Sequence, residues 1–117
     1  MDLNTAINNF RKFKFLKEIV SFDYDGTLTN EKYQNIAKKL IENGIKVLIV
    51  TARNDDDMSP VYELGKKLGI NKSDIHNTNG KDKWETLKRL NVTKHYDDND
   101  EQLRKIKENT DIIGIKA

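Results

Sequence analysis

Cysteine is absent from the 117 residues. That absence excludes disulfides, thiolate metal sites and a cysteine nucleophile, and it fits a reducing compartment. An excess of one charge is lacking too. The 21 Lys and Arg stand against 19 Asp and Glu, for a formal net charge of +2, so the charge balance marks out neither a nucleic-acid binder nor a membrane binder. No apolar run reaches bilayer-spanning length and the opening MDLNTAINNFRKFKF has no signal-peptide core, from which a cytoplasmic chain with no membrane partner is expected. Repeats and low-complexity linkers are missing, and the single proline, Pro60, falls at a helix start. One domain spanning residues 1–117 is therefore expected, with residues 1–16 an N-terminal extension of open role.

What the sequence does contain is a regular rhythm of apolar runs and amphipathic stretches. Leu3, Ile7 and Phe10 have helical spacing and Phe13 and Phe15 strand spacing, which reads as a short helix leading into a first strand, Ile19 to Phe22. Residues 31–43 set Tyr33, Ile36, Ala37, Leu40 and Ile41 on one helical face ahead of Gly44. The run IKVLIVT (45–51) has the continuous apolar character of a central parallel strand. Ser59 as N-cap and Pro60 as first residue open a second helix that stops at Gly69. Ile75 marks a short third strand, and Asp82 and Glu85 have capping-box spacing before a helix carrying Trp84, Leu87 and Leu90. Val92 to Tyr96 reads as a strand, 100–108 as a helix with Leu103 and Ile106 inward, and DIIGI as a last strand. This alternation predicts a three-layer α/β sandwich around a five-stranded parallel sheet.

The polar residues fall where such a sheet binds ligands, beyond the carboxyl ends of its strands. Asp23 and Asp25 follow the first strand, Thr51 ends the second, and Asp97 and Asp98 follow the fourth. If the strand continues through IVSFDYD, Asp23 and Asp25 share a face. Two carboxylates so close stay ionised together only with a cation between them; otherwise one holds a proton. Paired carboxylates, a hydroxyl and a lysine near the start of the helix before the fourth strand suit a hard cation, Mg²⁺, and a phosphate group. Gly26 permits the positive φ of a sharp exit from the strand.

Taken in order, FDYDGTL, VLIVT, the lysine of GKDKWETLKRL and HYDDND resemble the four signature motifs of the haloacid dehalogenase superfamily across residues 17–117. The resemblance implies a Rossmannoid fold and a phosphatase acting through an aspartyl phosphate. On it, Asp23 is the nucleophile, Asp25 the general acid and base, and Thr51 a hydrogen-bond partner of the phosphoryl oxygens. The metal set it implies is Asp23, the backbone carbonyl of Asp25, Asp98 as direct acidic ligand and Asp97 orienting metal-bound water. Asp25 then needs a raised pKa, which neighbouring carboxylates would supply. Lys83 is preferred to Lys81 as the phosphate-binding lysine because Leu87 and Leu90 follow it at core spacing. Gly26, Thr27, Ala52 and Arg53 complete the substrate-binding candidates; for Arg53 a phosphate clamp and a surface salt bridge both stay open.

Between Thr27 and the helix at 31, and again at residues 79 and 80, there is no room for the cap domain common in that superfamily. A capless site admits nucleotides, nucleic-acid ends or other large phosphorylated substrates, or borrows a lid from a second copy in a homo-oligomer. The bland readings are plain: Asp55, Asp56 and Asp57 as a solvated loop, His95 as packing, His76 without a metal-spaced partner, Trp84 as core, and Asp100 or Asn99 as a helix cap or a helper of the metal. A non-catalytic phosphate or metal-binding module of the same fold is the competing function. A phospho-acceptor domain carries its acidic pair first and its lysine last, and a dehalogenase lacks the second carboxylate, so both fit less well.

Overall fold

A computed structural model describes residues 18–117 of the chain, and the helix expected within residues 3–16 lies outside them. Strand β2 (Lys46–Thr51) is buried at every position after Lys46, as its unbroken apolar run requires. Its pleat deals Val47 and Ile49 to one face of the sheet and Leu48 and Val50 to the other. With β1 (Ile19–Phe22), β3 (Ile75–Asn77), β4 (Lys94–Asp97) and β5 (Ile113–Lys116) it forms a five-stranded, wholly parallel sheet in the order β3-β2-β1-β4-β5. The α/β sandwich read from the sequence is the observed fold.

Helices α1 (Glu31–Glu42) and α2 (Ser59–Leu68) cover the first face. There Tyr33, Ala37, Val61 and Leu68 pack with Phe22, Leu28 and Ile49, and Phe22 stacks on Tyr96 at a centroid distance of 4.6 Å. Helices α3 (Trp84–Arg89) and α4 (Asp100–Asn109) cover the second, where Leu87, Val92 and Ile106 join Leu48 and Val50, with Trp84 packed against them. The chain winds outward from β1 through β2 to β3, then returns past β1 to β4 and β5. The β1–β4 boundary is thus the switch point, where a crevice opens at the carboxyl ends of the strands. The turn Tyr24–Leu28 leads almost directly into α1, and β3 is separated from α3 only by a short loop, so neither connection holds an inserted cap.

Several ends differ from the sequence reading, each for a local reason. Ser59 is the first residue of α2, makes no capping bond, and follows Met58 at the cap position. The capping box at Asp82 does not form, because its carboxylate is drawn to Gln102 and Lys105 and Lys83 occupies the cap position. Asn99, not Asp100, caps α4 by accepting from the Gln102 N–H, while Asp100 pairs with Lys116. Strand β4 starts at Lys94, since Val92 turns into the second core and the Thr93 hydroxyl bonds the carbonyl of Ile19.

Candidate active site

Strands β1 and β4 run in register with Ser21 opposite His95 and Phe22 opposite Tyr96, and the Asp23 N–H extends the ladder by donating to the Tyr96 carbonyl at 2.9 Å. Pairing of this kind sets Asp23 beside Asp97 at the carboxyl edge. Lys83 reaches between them from the start of α3, its Nζ 2.7 Å from Asp23 Oδ1 and 2.7 Å from Asp97 Oδ2. All three are buried. The backbone N–H of Lys83 donates to Gln102 Oε1 at 3.0 Å, which ties this loop to α4. Of the two lysines left open by the sequence, Lys83 is the one joined to the carboxylates; Lys81 is exposed at the rim.

The two aspartates differ electrostatically although they share one ammonium. Burial alone would raise Asp97, but the His95 N–H and the Lys83 charge outweigh it and hold the carboxyl at about 2. The Asn99 N–H adds a third donor at 3.0 Å. Asp23 has no such set: burial dominates, the charge of Asp97 adds to it, and its carboxyl rises to about 7 in spite of Lys83. One ammonium balances one carboxylate. With its value raised to about 7, the second takes up a proton as pH falls through neutrality, and a further cation opposes that uptake.

Asp98 supplies a third acidic group, and Asp23, Asp97 and Asp98 each offer an oxygen within 4.8 Å of the others. Its approach depends on Gly26, which has φ +74° and would carry any Cβ only 2.0 Å from Asp98 Oδ2. Three carboxylates held together with a net negative charge form a hard-oxygen donor set of the kind Mg²⁺ takes. Asp97 has both oxygens engaged by protein donors, whereas Asp98, among the described residues, meets the cluster only through the neighbouring Asp23 carboxyl.

Asp25 departs from expectation. Strand β1 ends at Phe22, and the turn that follows swings the Asp25 carboxylate onto Arg53, whose Nε and Nη2 each donate at 2.9 Å. It therefore lies outside the acidic cluster, and Arg53 holds its carboxyl below the usual range, where a raised value was expected. Arg53 is further fixed by the Asp57 carbonyl at 3.0 Å and lies over the Tyr24 ring at 5.0 Å. The salt bridge, one of its two open readings, is the one the side chain makes.

A cavity of about 460 Å³ at this edge gathers Asp23, Asp25, Gly26, Ala52, Lys83 and Asp98. Thr51 is buried at the end of β2, its Oγ1 accepting from the Arg53 N–H at 3.3 Å. Thr27 is also buried, and its hydroxyl is, among the described residues, a buried side-chain polar atom with no partner. Neither threonine nor Arg53 lines the cavity. The sequence reading missed the contribution of His95, Ser21 and Gln102. The first two had a legible signal, a polar residue two positions before each key aspartate on adjacent strands.

Residues 20–108, from β1 through nearly all of α4, match the family model described as haloacid dehalogenase-like hydrolase. No curated protein matches the chain.

Proposed function

The chain belongs to the haloacid dehalogenase-like hydrolases, and we propose that it is a magnesium-dependent phosphate monoester hydrolase working through an aspartyl phosphate on Asp23. The observation that carries this reading is the convergence of Asp23, Asp97 and Asp98 within 4.8 Å, with the Lys83 ammonium 2.7 Å from the first two, at the switch point of the sheet. Asp23, Asp98 and the backbone carbonyl of Asp25 would hold the ion, with Asp97 orienting its water. Bound Mg²⁺ supplies positive charge that offsets the repulsion between a carboxylate and a phosphate dianion.

The protein's own residues do the rest. Asp23 attacks phosphorus, the bond to the ester oxygen breaks, and Asp25 gives that oxygen a proton. Water then attacks the aspartyl phosphate while Asp25 takes its proton, and inorganic phosphate leaves with Asp23 regenerated. Lys83, buried and fixed from two sides, stabilises charge on the equatorial phosphoryl oxygens, and Thr51, which does not line the cavity in the resting arrangement, would turn its hydroxyl to them once substrate is bound. In the resting arrangement Arg53 keeps Asp25 ionised, as the second half requires. For the first half Asp25 must leave Arg53 and carry a proton; a phosphate that draws the guanidinium to itself releases the carboxylate, which lies exposed and takes that proton from solvent. The absence of a cap insertion in the two connections supports a substrate with a bulky leaving group: a nucleotide or a nucleic-acid end.

The test is hydrolysis of an aryl phosphate with Mg²⁺, followed by a panel of nucleotides, sugar phosphates and 3′-phosphorylated oligonucleotides. Wild type should turn over, acid-quenched protein should carry phosphate on Asp23, and Asp23→Asn should be folded and inactive. A wild type inert across the whole panel would overturn the reading and favour a binding module that holds phosphate or metal without turnover.

A further inference from the structure

Two buried polar side chains take no part in these steps. Ser21 and His95 are fully buried, face one another across β1 and β4, and occupy the sheet face opposite the Phe22–Tyr96 stack. Polar groups in such a place cost stability unless each donor and acceptor is matched. Here they are matched in one direction only. Asp97 already accepts from the Lys83 ammonium on Oδ2 and from the Asn99 N–H on Oδ1, so the 2.9 Å contact between His95 Nε2 and Asp97 Oδ2 requires a hydrogen on Nε2. Among the described residues the Ser21 hydroxyl has no partner besides this imidazole, so its hydrogen goes to Nδ1 across the 2.6 Å contact, and Nδ1 carries none of its own.

We propose that Ser21 and His95 are a buried positioning relay: the Ser21 hydroxyl fixes the Nε2–H tautomer of His95, and His95 fixes Asp97 so that Lys83 stays midway between Asp97 and Asp23. Asp97 Oδ2 receives Lys83 Nζ and His95 Nε2 together, so the imidazole sets the rotation of the carboxylate that anchors the ammonium. Without it, Asp97 is held on that side by Lys83 alone, and the lysine follows the carboxylate instead of being placed by it. Neither Ser21 nor His95 lines the cavity, so both are positioning residues and not catalytic ones. The inference rests on the proposed role of Asp23 and Lys83, but the tautomer it demands does not.

The experiment uses the full-length protein and its Ser21→Ala, His95→Gln and His95→Leu variants. Long-range proton–nitrogen correlation spectra of the nitrogen-15-labelled, metal-free protein near neutral pH should give His95 a protonated Nε2 and a hydrogen-bonded, unprotonated Nδ1. In Ser21→Ala the Nδ1 resonance should move toward that of a free acceptor or a tautomer mixture. With Mg²⁺ and an aryl phosphate, Ser21→Ala and His95→Leu should each lose about tenfold or more in kcat with KM little changed. His95→Gln, whose amide N–H reaches the same region as Nε2–H, should recover most of the loss at a melting temperature no higher than that of His95→Leu. A Nδ1–H tautomer or an imidazolium in the wild type, or full kcat in Ser21→Ala, overturns the relay. If wild type shows no phosphatase activity, the function proposed above fails while the spectra still decide the tautomer. Should His95→Leu not fold, Ser21→Ala carries the kinetic test.

Discussion

Replacing Lys83 with methionine keeps most of the side-chain volume and removes the ammonium that two buried carboxylates share at 2.7 Å each. Removing one partner from a buried ion pair typically costs about 3–5 kcal/mol, because the charge left behind is uncompensated. Here part of that cost is relieved by a proton on Asp23, so the loss depends on pH, with a sign that follows from linkage. The folded-state pKa of Asp23, about 7, lies above its ordinary value of 3.8. The native state thus binds the proton more tightly than the unfolded chain, and this group's contribution falls as pH rises between those two values. Above about 7 the wild type stops losing stability on this account. In Lys83→Met the lowering influence of the ammonium is gone, Asp23 stays protonated to higher pH, and stability keeps falling by up to about 1.4 kcal/mol per pH unit. Urea unfolding followed by Trp84 fluorescence in chelator, at pH 6, 7 and 8, reads the difference. The deficit of the variant should be at its smallest at pH 6 and widen toward pH 8. A deficit that is flat across this range, or below about 1 kcal/mol throughout, refutes the buried pairing of Lys83 with both carboxylates.

Gly26→Ala forces a Cβ to within 2.0 Å of Asp98 Oδ2 at a φ of +74°; a loss of roughly 1–3 kcal/mol in urea unfolding is expected, together with loss of any Mg²⁺-induced rise in melting temperature. For wild type, Mg²⁺ at ten times its dissociation constant should add about 1.4 kcal/mol of stability, and Asp98→Asn should respond far less in the same thermal scan. Arg53→Ala breaks a partly exposed pair, so its unfolding free energy should change by less than about 1 kcal/mol. The carboxyl-carbon titration of Asp25 should nevertheless move upward, because the guanidinium that holds its pKa down has gone; an unmoved midpoint contradicts the assigned pair.

The β–α rhythm was legible because period-two and period-3.6 patterns were strong wherever burial was two-sided, as in β2. The meeting of Asp23, Asp97 and Asp98 was legible for a related reason: parallel strands deliver their carboxyl ends to one edge, so residues far apart in sequence meet there, whereas Lys83, at the start of α3, was legible through the family resemblance. The fate of Asp25 was not legible. Its orientation is decided by Arg53, which arrives from the end of β2 and is itself fixed by Asp57 and Tyr24, a set of contacts with no local signature. Caps failed in the same way. Asp82 had the right spacing for a box, yet two donors on α4 offered its carboxylate a charged alternative. The residues 79 and 80 that left no room for a cap were informative, since a missing insertion is a covalent fact that tertiary contacts cannot reverse.

A row of Ser21, His95, Asp97, Lys83 and Asp23 crosses the middle of a sheet whose neighbouring strand is almost wholly apolar. Stability does not require it, since well-packed apolar residues replace buried ion pairs at no loss and often with gain. What an apolar row cannot do is hold one carboxylate below its ordinary value and another, joined to the same ammonium, above it. That difference arises because burial dominates at Asp23, whereas at Asp97 the His95 hydrogen bond, given to it alone, joins Lys83 in outweighing burial. Asp97 accepts from three donors, while Asp23, among the described residues, shares only Lys83 with it. On the function proposed above, the asymmetry of the row, more than the number of charges in it, would make Asp23 the reactive member.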